Sequence, residues 1–307
     1  MKPCVVIVLW AAASCVLLTP SPVGAQVYWM EAPEFLPPHH GDPEFGDLDG
    51  DGDYDLLYPE PLEAHENVGS VSLPVWDLNN GFVQGLPAAW FMAACLADLD
   101  ADGDLDFSAG DGLGNLYYYE NVGTAFDPIW EEHNEMYPYI GEHGHVNPEL
   151  ADLDGDGDLD LVVAHLSLFF LSYRNVGTPE LPVWEEDASL CDGIEMLGPV
   201  DPSFSDVDLD GDLDLIAGDR DMDWGMVAFE NVGGKHEPAW LENMDLLMGV
   251  NTDVNGLGLD LADLNADGAP DLLSCFLDGG PSFYLNCGPI TLVESTASWS
   301  TIKAMFR

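Results

Sequence analysis

Asp152, Asp154 and Asp156 stand at alternate positions, Gly157 follows and Asp160 closes the set, in a stretch reading D-L-D-G-D-G-D-L-D. Carboxylates at positions 1, 3, 5 and 9 of one short turn suit a hard cation, since calcium takes roughly six to eight oxygens. Position 7, Asp158, can add its backbone carbonyl. The Gly at position 6 permits the left-handed backbone that wraps such a loop around an ion. The chemistry on offer is cation binding.

The pattern occurs five times. The other four sets are Asp47, Asp49, Asp51, Gly52, Asp53 and Asp55; Asp98, Asp100, Asp102, Gly103, Asp104 and Asp106; Asp206, Asp208, Asp210, Gly211, Asp212 and Asp214; and Asp263, Asn265, Asp267, Gly268, Ala269 and Asp271. Position 7 is Ala269 in the last, so its side chain is not expected to be an essential ligand. Up to five calcium ions are expected, with the fifth loop weaker because Asn265 replaces an Asp. An EF-hand is excluded: its loop needs a Glu at position 12 and a helix on each side, whereas position 12 here is Tyr58, Ala109, Val163, Ala217 or Ser274, in strand-like runs.

The elements that hold these loops repeat with them, at a period of about 54 residues. An Asn-x-Gly follows each loop, beginning at Asn67, Asn121, Asn175, Asn231 and Asn286. Trp76, Trp130, Trp184 and Trp240 lie nine residues after the first four Asn, each with Pro two positions before it. Each repeat reads as four strands: one into the loop (148–151), one out of it (161–164), an aromatic one into Asn-x-Gly (116–120), and one carrying Pro-x-Trp. Four antiparallel strands per repeat predict a propeller blade. The fifth repeat lacks its fourth strand, and the N-terminus has an orphan, Val27-Tyr28-Trp29-Met30. Together they complete an all-β, five-bladed propeller closed by its N-terminal strand, which leaves no open edge.

Asp-x-Asp-x-Asp-Gly-x-x-Asp between strands, with Phe45-Gly46 ahead of the first loop, resembles the FG-GAP and VCBS repeats of integrin alpha-subunit propellers and many secreted bacterial proteins. The resemblance covers roughly residues 27–288 and implies calcium sites that brace the blades from the bottom face. Integrin-type propellers have more blades, so no integrin ligand site is carried over.

Composition narrows the function. Hydrophobic residues make up 47% of the 307, enough for a core. Lys and Arg number 6 against 57 Asp and Glu, a formal charge of −51. Twenty-three of those acids lie in the loops, and five calcium ions of two charges each would still leave −41. Nucleic acid is excluded as a partner, since phosphate binding needs a basic face. Calcium-free loops press carboxylates together, so an unstable or partly unfolded calcium-free form is expected.

Residues 1–25 read as a secretory signal peptide, with Lys2, an apolar run from Val5 to Leu18, and Val23-Gly24-Ala25 before Gln26. A lipoprotein reading through Cys15 lacks the usual large apolar residue ahead of it. No later stretch reaches the ~18 apolar residues of a transmembrane segment. A secreted or cell-surface protein is expected, with the propeller over 26–288 and a tail over 289–307. In that tail Trp299, Ile302 and Phe306 could share a helix face. Cys95, Cys191, Cys275 and Cys287 could form two disulfides, though Cys275 and Cys287 look out of register.

Ligand chemistry is expected on the top face, opposite the calcium loops, where sequence varies between repeats. Connections into the inner strands carry His39, His40, Trp90, Phe91, Tyr137, Tyr139, His143 and His145. The other loop set adds Glu60, Asp111, His165, Asp219, Arg220 and Trp224. Of these, His40, Trp90, Phe91, His143, His145, His165, Asp219, Arg220 and Trp224 are the candidate ligand-binding residues. Trp90 and Phe91 have an equal claim to be core, and Glu60, Asp111 and Asp219, equivalent by repeat position, can be blade structure. Aromatic rings with His and carboxylates suit a sugar. The chain has no G-x-S-x-G, H-E-x-x-H or Gly-rich phosphate loop. The expectation is a binding or adhesion module for glycan or an extracellular protein. The alternatives are a polysaccharide hydrolase or lyase using top-face carboxylates or His, and a structural cell-surface protein.

Overall fold

The computed structural model describes residues 10–11, 14–20, 26–35, 42–71, 73–87, 91–141, 144–165, 170–194, 200–219, 225–252, 256–276 and 280–295. They form five blades of four antiparallel strands. Blade one is Glu44–Gly46, Asp55–Pro59, Leu62–Asn67 and Trp76–Leu78. Blade two is Phe91–Ala97, Asp106–Asp111, Leu116–Asn121 and Trp130–Glu132. Blade three is Val146–Ala151, Asp160–His165, Leu171–Asn175 and Trp184–Glu186. Blade four is Val200–Ser205, Asp214–Asp219, Met226–Asn231 and Trp240–Glu242.

Blade five is assembled from both ends of the chain. Gly256–Ala262, Asp271–Phe276 and Gly280–Ser295 supply three strands, and Gln26–Glu31 adds the outer one, pairing Trp29 with Asn286. Inner strands of successive blades touch all the way around, including blade five against blade one, so the ring is closed. Its apolar core is divided among the blade interfaces. Leu57, Phe91 and Phe107 pack between blades one and two, for example, while Phe35, Phe45, Tyr58, Leu273 and Phe283 pack between blades five and one. The second strands are buried along their length, as in Asp160–His165, because each is covered on both faces.

The repeated Trp is a latch between blades. Its indole N–H donates to a carbonyl in the turn that follows the outer strand of the preceding blade. The pairs are Trp76 to Phe35 at 3.2 Å, Trp130 to Phe82 at 3.0 Å, Trp184 to Met136 and Trp240 to Leu190 at 2.8 Å, and Trp29 to Leu246 at 2.5 Å. The repeated Asn pins the hairpin between strands three and four. Asn67 Oδ1 accepts from the amides of Gly69 and Val75, at 3.1 and 3.0 Å, and Asn121 and Asn175 do the same in their blades. The Gly is required because a Cβ at Gly69, Gly123, Gly177 or Gly233 would collide with a carbonyl oxygen across the turn.

Residues 14–20, within the expected leader, pair antiparallel with residues 290–295, so the last strand extends seven residues into the expected tail. Trp299, Ile302 and Phe306 lie outside the described residues. The four described cysteines are free thiols. Cys275 faces Pro281 across its ladder, which leaves Cys287 six residues out of register. Among the described residues no helix is long and apolar enough to cross a membrane.

Candidate metal centres and ligand face

Each calcium-type loop joins the inner strand of its blade to the second. In the first four loops, three carboxylates each bring one oxygen within 4.8 Å of the others. The sets are Asp47, Asp49 and Asp55; Asp98, Asp100 and Asp102; Asp152, Asp154 and Asp156; and Asp206, Asp208 and Asp210. The position-6 glycines have φ from 93° to 103°. Position 4 is also left-handed and is not always Gly: Ala101, Leu209 and Ala266 have φ of 59°, 64° and 53°. Such a residue costs roughly 1–2 kcal/mol. The loop backbone is thus held in a strained shape that aims its carboxylates inward.

Position 9 is the anchor. Asp55 accepts from the amides of Leu48 at 2.9 Å and Asn67 at 2.7 Å. Asp106, Asp160 and Asp214 make the equivalent pair of bonds, which ties each loop to the Asn-x-Gly strand of its own blade. Burial pushes Asp55, Asp106 and Asp160 up to about 7, and Asp214 and Asp271 up to about 8.

Position 7 does more than the sequence indicated. Besides any backbone carbonyl, the side chains of Asp53, Asp104, Asp158 and Asp212 are candidate ligands. Each buries an Oδ1 with no hydrogen-bond partner among the described residues. Burial, then neighbouring loop carboxylates, pushes Asp104, Asp158 and Asp212 up to about 6 and raises Asp53. A buried, unmatched carboxylate oxygen repeated at one position of four loops, amid other carboxylates, fits a hard divalent cation.

Two loops differ. In the third, Arg174 pairs with Asp154 and reaches Asp187 Oδ2 at 3.0 Å, while Lys235 Nζ lies 4.0 Å from Asp152 Oδ2. His236 Nδ1 sits 2.8 Å from the Asp154 carbonyl oxygen. The Asn-x-Gly turn of blade four thus brings Lys235 and His236 onto the loop of blade three. In the fifth, the Asn265 amide donates to Asp271 Oδ2 at 3.0 Å, the oxygen that accepts a backbone amide from the loop in the other four.

Residues 98–163, which hold the second loop, the third loop and the strands between them, match the FG-GAP-like repeat family. That stretch carries an FG-GAP-like repeat. No curated protein gives a significant match. Among solved structures, an Agrocybe aegerita lectin, solved for its specific recognition of non-reducing terminal N-acetylglucosamine, is 18% identical with a TM-score of 0.40. The alignment covers 88% of this chain and 66% of the lectin chain, just under two thirds. At that score the likeness carries no argument about fold or ligand.

On the opposite face of the propeller the expected residues separate. His40, Trp90, His143, Arg220 and Trp224 lie outside the described residues, and the side chain of Asp219 is likewise outside them. Phe91 is fully buried, with its ring centroid 5.4 Å from Phe107 and 5.5 Å from Tyr117, so its side chain packs the core. His165 is buried at the end of its strand, opposite Val146, which places it beside half-buried His145. Asp111 is a hairpin staple, accepting from the Leu113 and Asn115 amides, the Asn115 side chain and the Tyr117 hydroxyl. Burial raises its carboxyl, but those donors outweigh it and hold Asp111 below its ordinary value.

Tyr137 and Tyr139 divide the work of one connection. Tyr137 is buried, bonded to Ser108 Oγ and packed 5.8 Å from Tyr118 and 6.1 Å from Trp184. Tyr139, two residues on, is 89% exposed.

The sequence reading missed the axis of the ring. Three residues before the first Asp of each loop stand Glu44, Cys95, Glu149, Ser203 and Asp260, and all five line one cavity of about 590 Å³. The cavity also reaches Asp47, Asp53, Asp98 and Asp104, so it runs beside the loops of blades one and two. Two residues further back in each repeat stand Asp42, Ala93, Asn147, Asp201 and Gly258. Counting back in register from each loop would have found both sets.

Proposed function

We propose that this propeller is an extracellular, calcium-stabilised binding module that takes a glycan on the face opposite its calcium loops. The observation that carries the reading is Tyr139, a large ring held 89% in solvent beside an anchored neighbour. A ring of that kind buries roughly 150–250 Å² when it packs. Presented on the firm post of Tyr137, it is a ready platform for the apolar face of a sugar. His145 and His165, brought together at the edge of the same blade, supply polar groups to read hydroxyls. The leader-like residues 1–25 and the calcium loops support an extracellular site of action, where calcium is plentiful.

The test incubates the calcium-loaded protein with a panel of immobilised polysaccharides and assays both retention and released products. Retention that Tyr139→Ala abolishes, with an unchanged melt, supports the reading. No retention on any glycan removes it in favour of a protein partner or a structural surface role. Released oligosaccharides would make the protein a hydrolase or lyase.

A further inference from the structure

The five residues that line the axis are equivalent in the repeat but unlike in chemistry: Glu44, Cys95, Glu149, Ser203 and Asp260. Asp260 is fully engaged. Its Oδ2 accepts from the Phe45 amide at 2.7 Å, and its Oδ1 from Ser203 Oγ at 3.1 Å and the Leu261 amide at 2.7 Å. It therefore ties blades four, five and one together. Asp201, one layer back, does the same for blades three, four and five, accepting from the Asn147 side chain and from the Leu259 amide at 2.5 Å. These two carboxylates are accounted for as clamps.

Glu44 is not. It is 8% exposed and lines the cavity. Among the described residues no donor or cation meets its carboxylate, and its electrostatic neighbours are Asp260, Glu149, Asp201 and Asp42. Burial and then those charges push Glu44 well above the usual carboxylate range. Glu149 is raised too, first by burial and then by Asp260 and Asp201, against modest help from the Phe204 amide and the Cys95 thiol. The two basic side chains among the described residues, Arg174 and Lys235, are both committed to the third loop.

A buried acid with no partner, sharing a cavity of about 590 Å³ with Glu149 and Asp260, is costly unless something positive enters. We propose that the axis of the ring holds a hydrated divalent cation, bound by the carboxylates of Glu44 and Glu149 at the edge of Asp260, in addition to the loop ions. The donors are mainly oxygen, which suits calcium or magnesium over softer metals. Glu44, Glu149 and Asp260 come from blades one, three and five and line this one cavity, so an ion there rivets blades that share no strand.

The experiment counts calcium bound per chain by equilibrium dialysis and atomic emission, for the wild type and for Glu44→Gln/Glu149→Gln. Gln keeps the shape of each side chain and removes its charge. The expected result is one ion fewer in the variant, with a higher melting temperature than the wild type in chelator, because two buried charges are gone. Equal counts would overturn the proposal. The comparison is a difference, so loops that bound no calcium would lower both counts and leave it intact. If the double variant fails to fold, Glu44→Gln alone is measured. At least a tenfold loss of affinity for one ion is then expected, and an unchanged titration overturns the site.

Discussion

Trp29 donates its indole N–H to the carbonyl of Leu246, 217 residues away in the chain. Four other Trp side chains make the same bond to the preceding blade, but this one joins the first strand of the propeller to the last blades. It makes the N-terminal strand the fastener of the ring. Trp29→Phe keeps most of the bulk and loses the bond, for an expected cost of about 1 kcal/mol. Trp29→Ala, which also opens a cavity, is expected to cost about 3–5 kcal/mol. Urea denaturation of the two variants checks both, and a cost for Ala no greater than for Phe would mean the latch packs poorly.

Much of this architecture is legible in the sequence because it is periodic. Loop, Asn-x-Gly and Trp recur in register, and the orphan Trp29 can be matched to the repeat that lacks one. What the sequence hides is chemistry assembled across repeats. Glu44, Glu149 and Asp260 lie about a hundred residues apart and form no motif. The pairing of Arg174 and Lys235 with the third loop depends on which turn lands beside it. Phe91 and Tyr139 are both aromatic residues near the start of an inner strand, yet one is buried and the other bare. Burial is decided by the neighbouring blade, which local pattern does not reveal.

The position-7 carboxylates should trade stability against calcium. Asp104 buries an unmatched oxygen among Asp102, Asp100 and Asp98. Asp104→Asn is therefore expected to raise the melting temperature in chelator and to weaken calcium binding at that loop. Asp156→Ala, which removes a position-5 carboxylate, is expected to shrink the stabilisation by calcium. Calorimetry with and without calcium reads both, and an unchanged calcium response for Asp156→Ala would refute a site in the third loop.

The pH dependence of the calcium-free protein follows from the position-9 residues. Their carboxyls are raised in the fold, to about 7 for Asp55, Asp106 and Asp160 and about 8 for Asp214 and Asp271. Between about pH 4 and those values the native state holds more protons than the unfolded chain, so stability falls as pH rises. In chelator the melting temperature should drop by roughly 5 °C or more from pH 5 to pH 8. Calcium replaces those protons, so its stabilising effect should be largest near pH 8 and fade toward pH 5. A chelated protein that grows more stable as pH rises through this window would contradict the electrostatics of the loops.

The third loop should bind calcium more weakly than the second, since Arg174 and Lys235 already lean on Asp154 and Asp152. Arg174→Gln is expected to strengthen binding at that loop several-fold and to shift no other. Titration followed by calorimetry distinguishes the sites by their affinities, and weaker binding in the variant would show that Arg174 shapes the loop and does not compete for it.

The central claim is that calcium in repeated loops braces a single closed ring. The most direct measurement is a thermal melt of the purified chain, in calcium and in chelator, followed by scanning calorimetry. A single cooperative transition that moves to markedly higher temperature with calcium is the predicted result. The same melting temperature in both, or blades that melt in separate steps while calcium is bound, would contradict it.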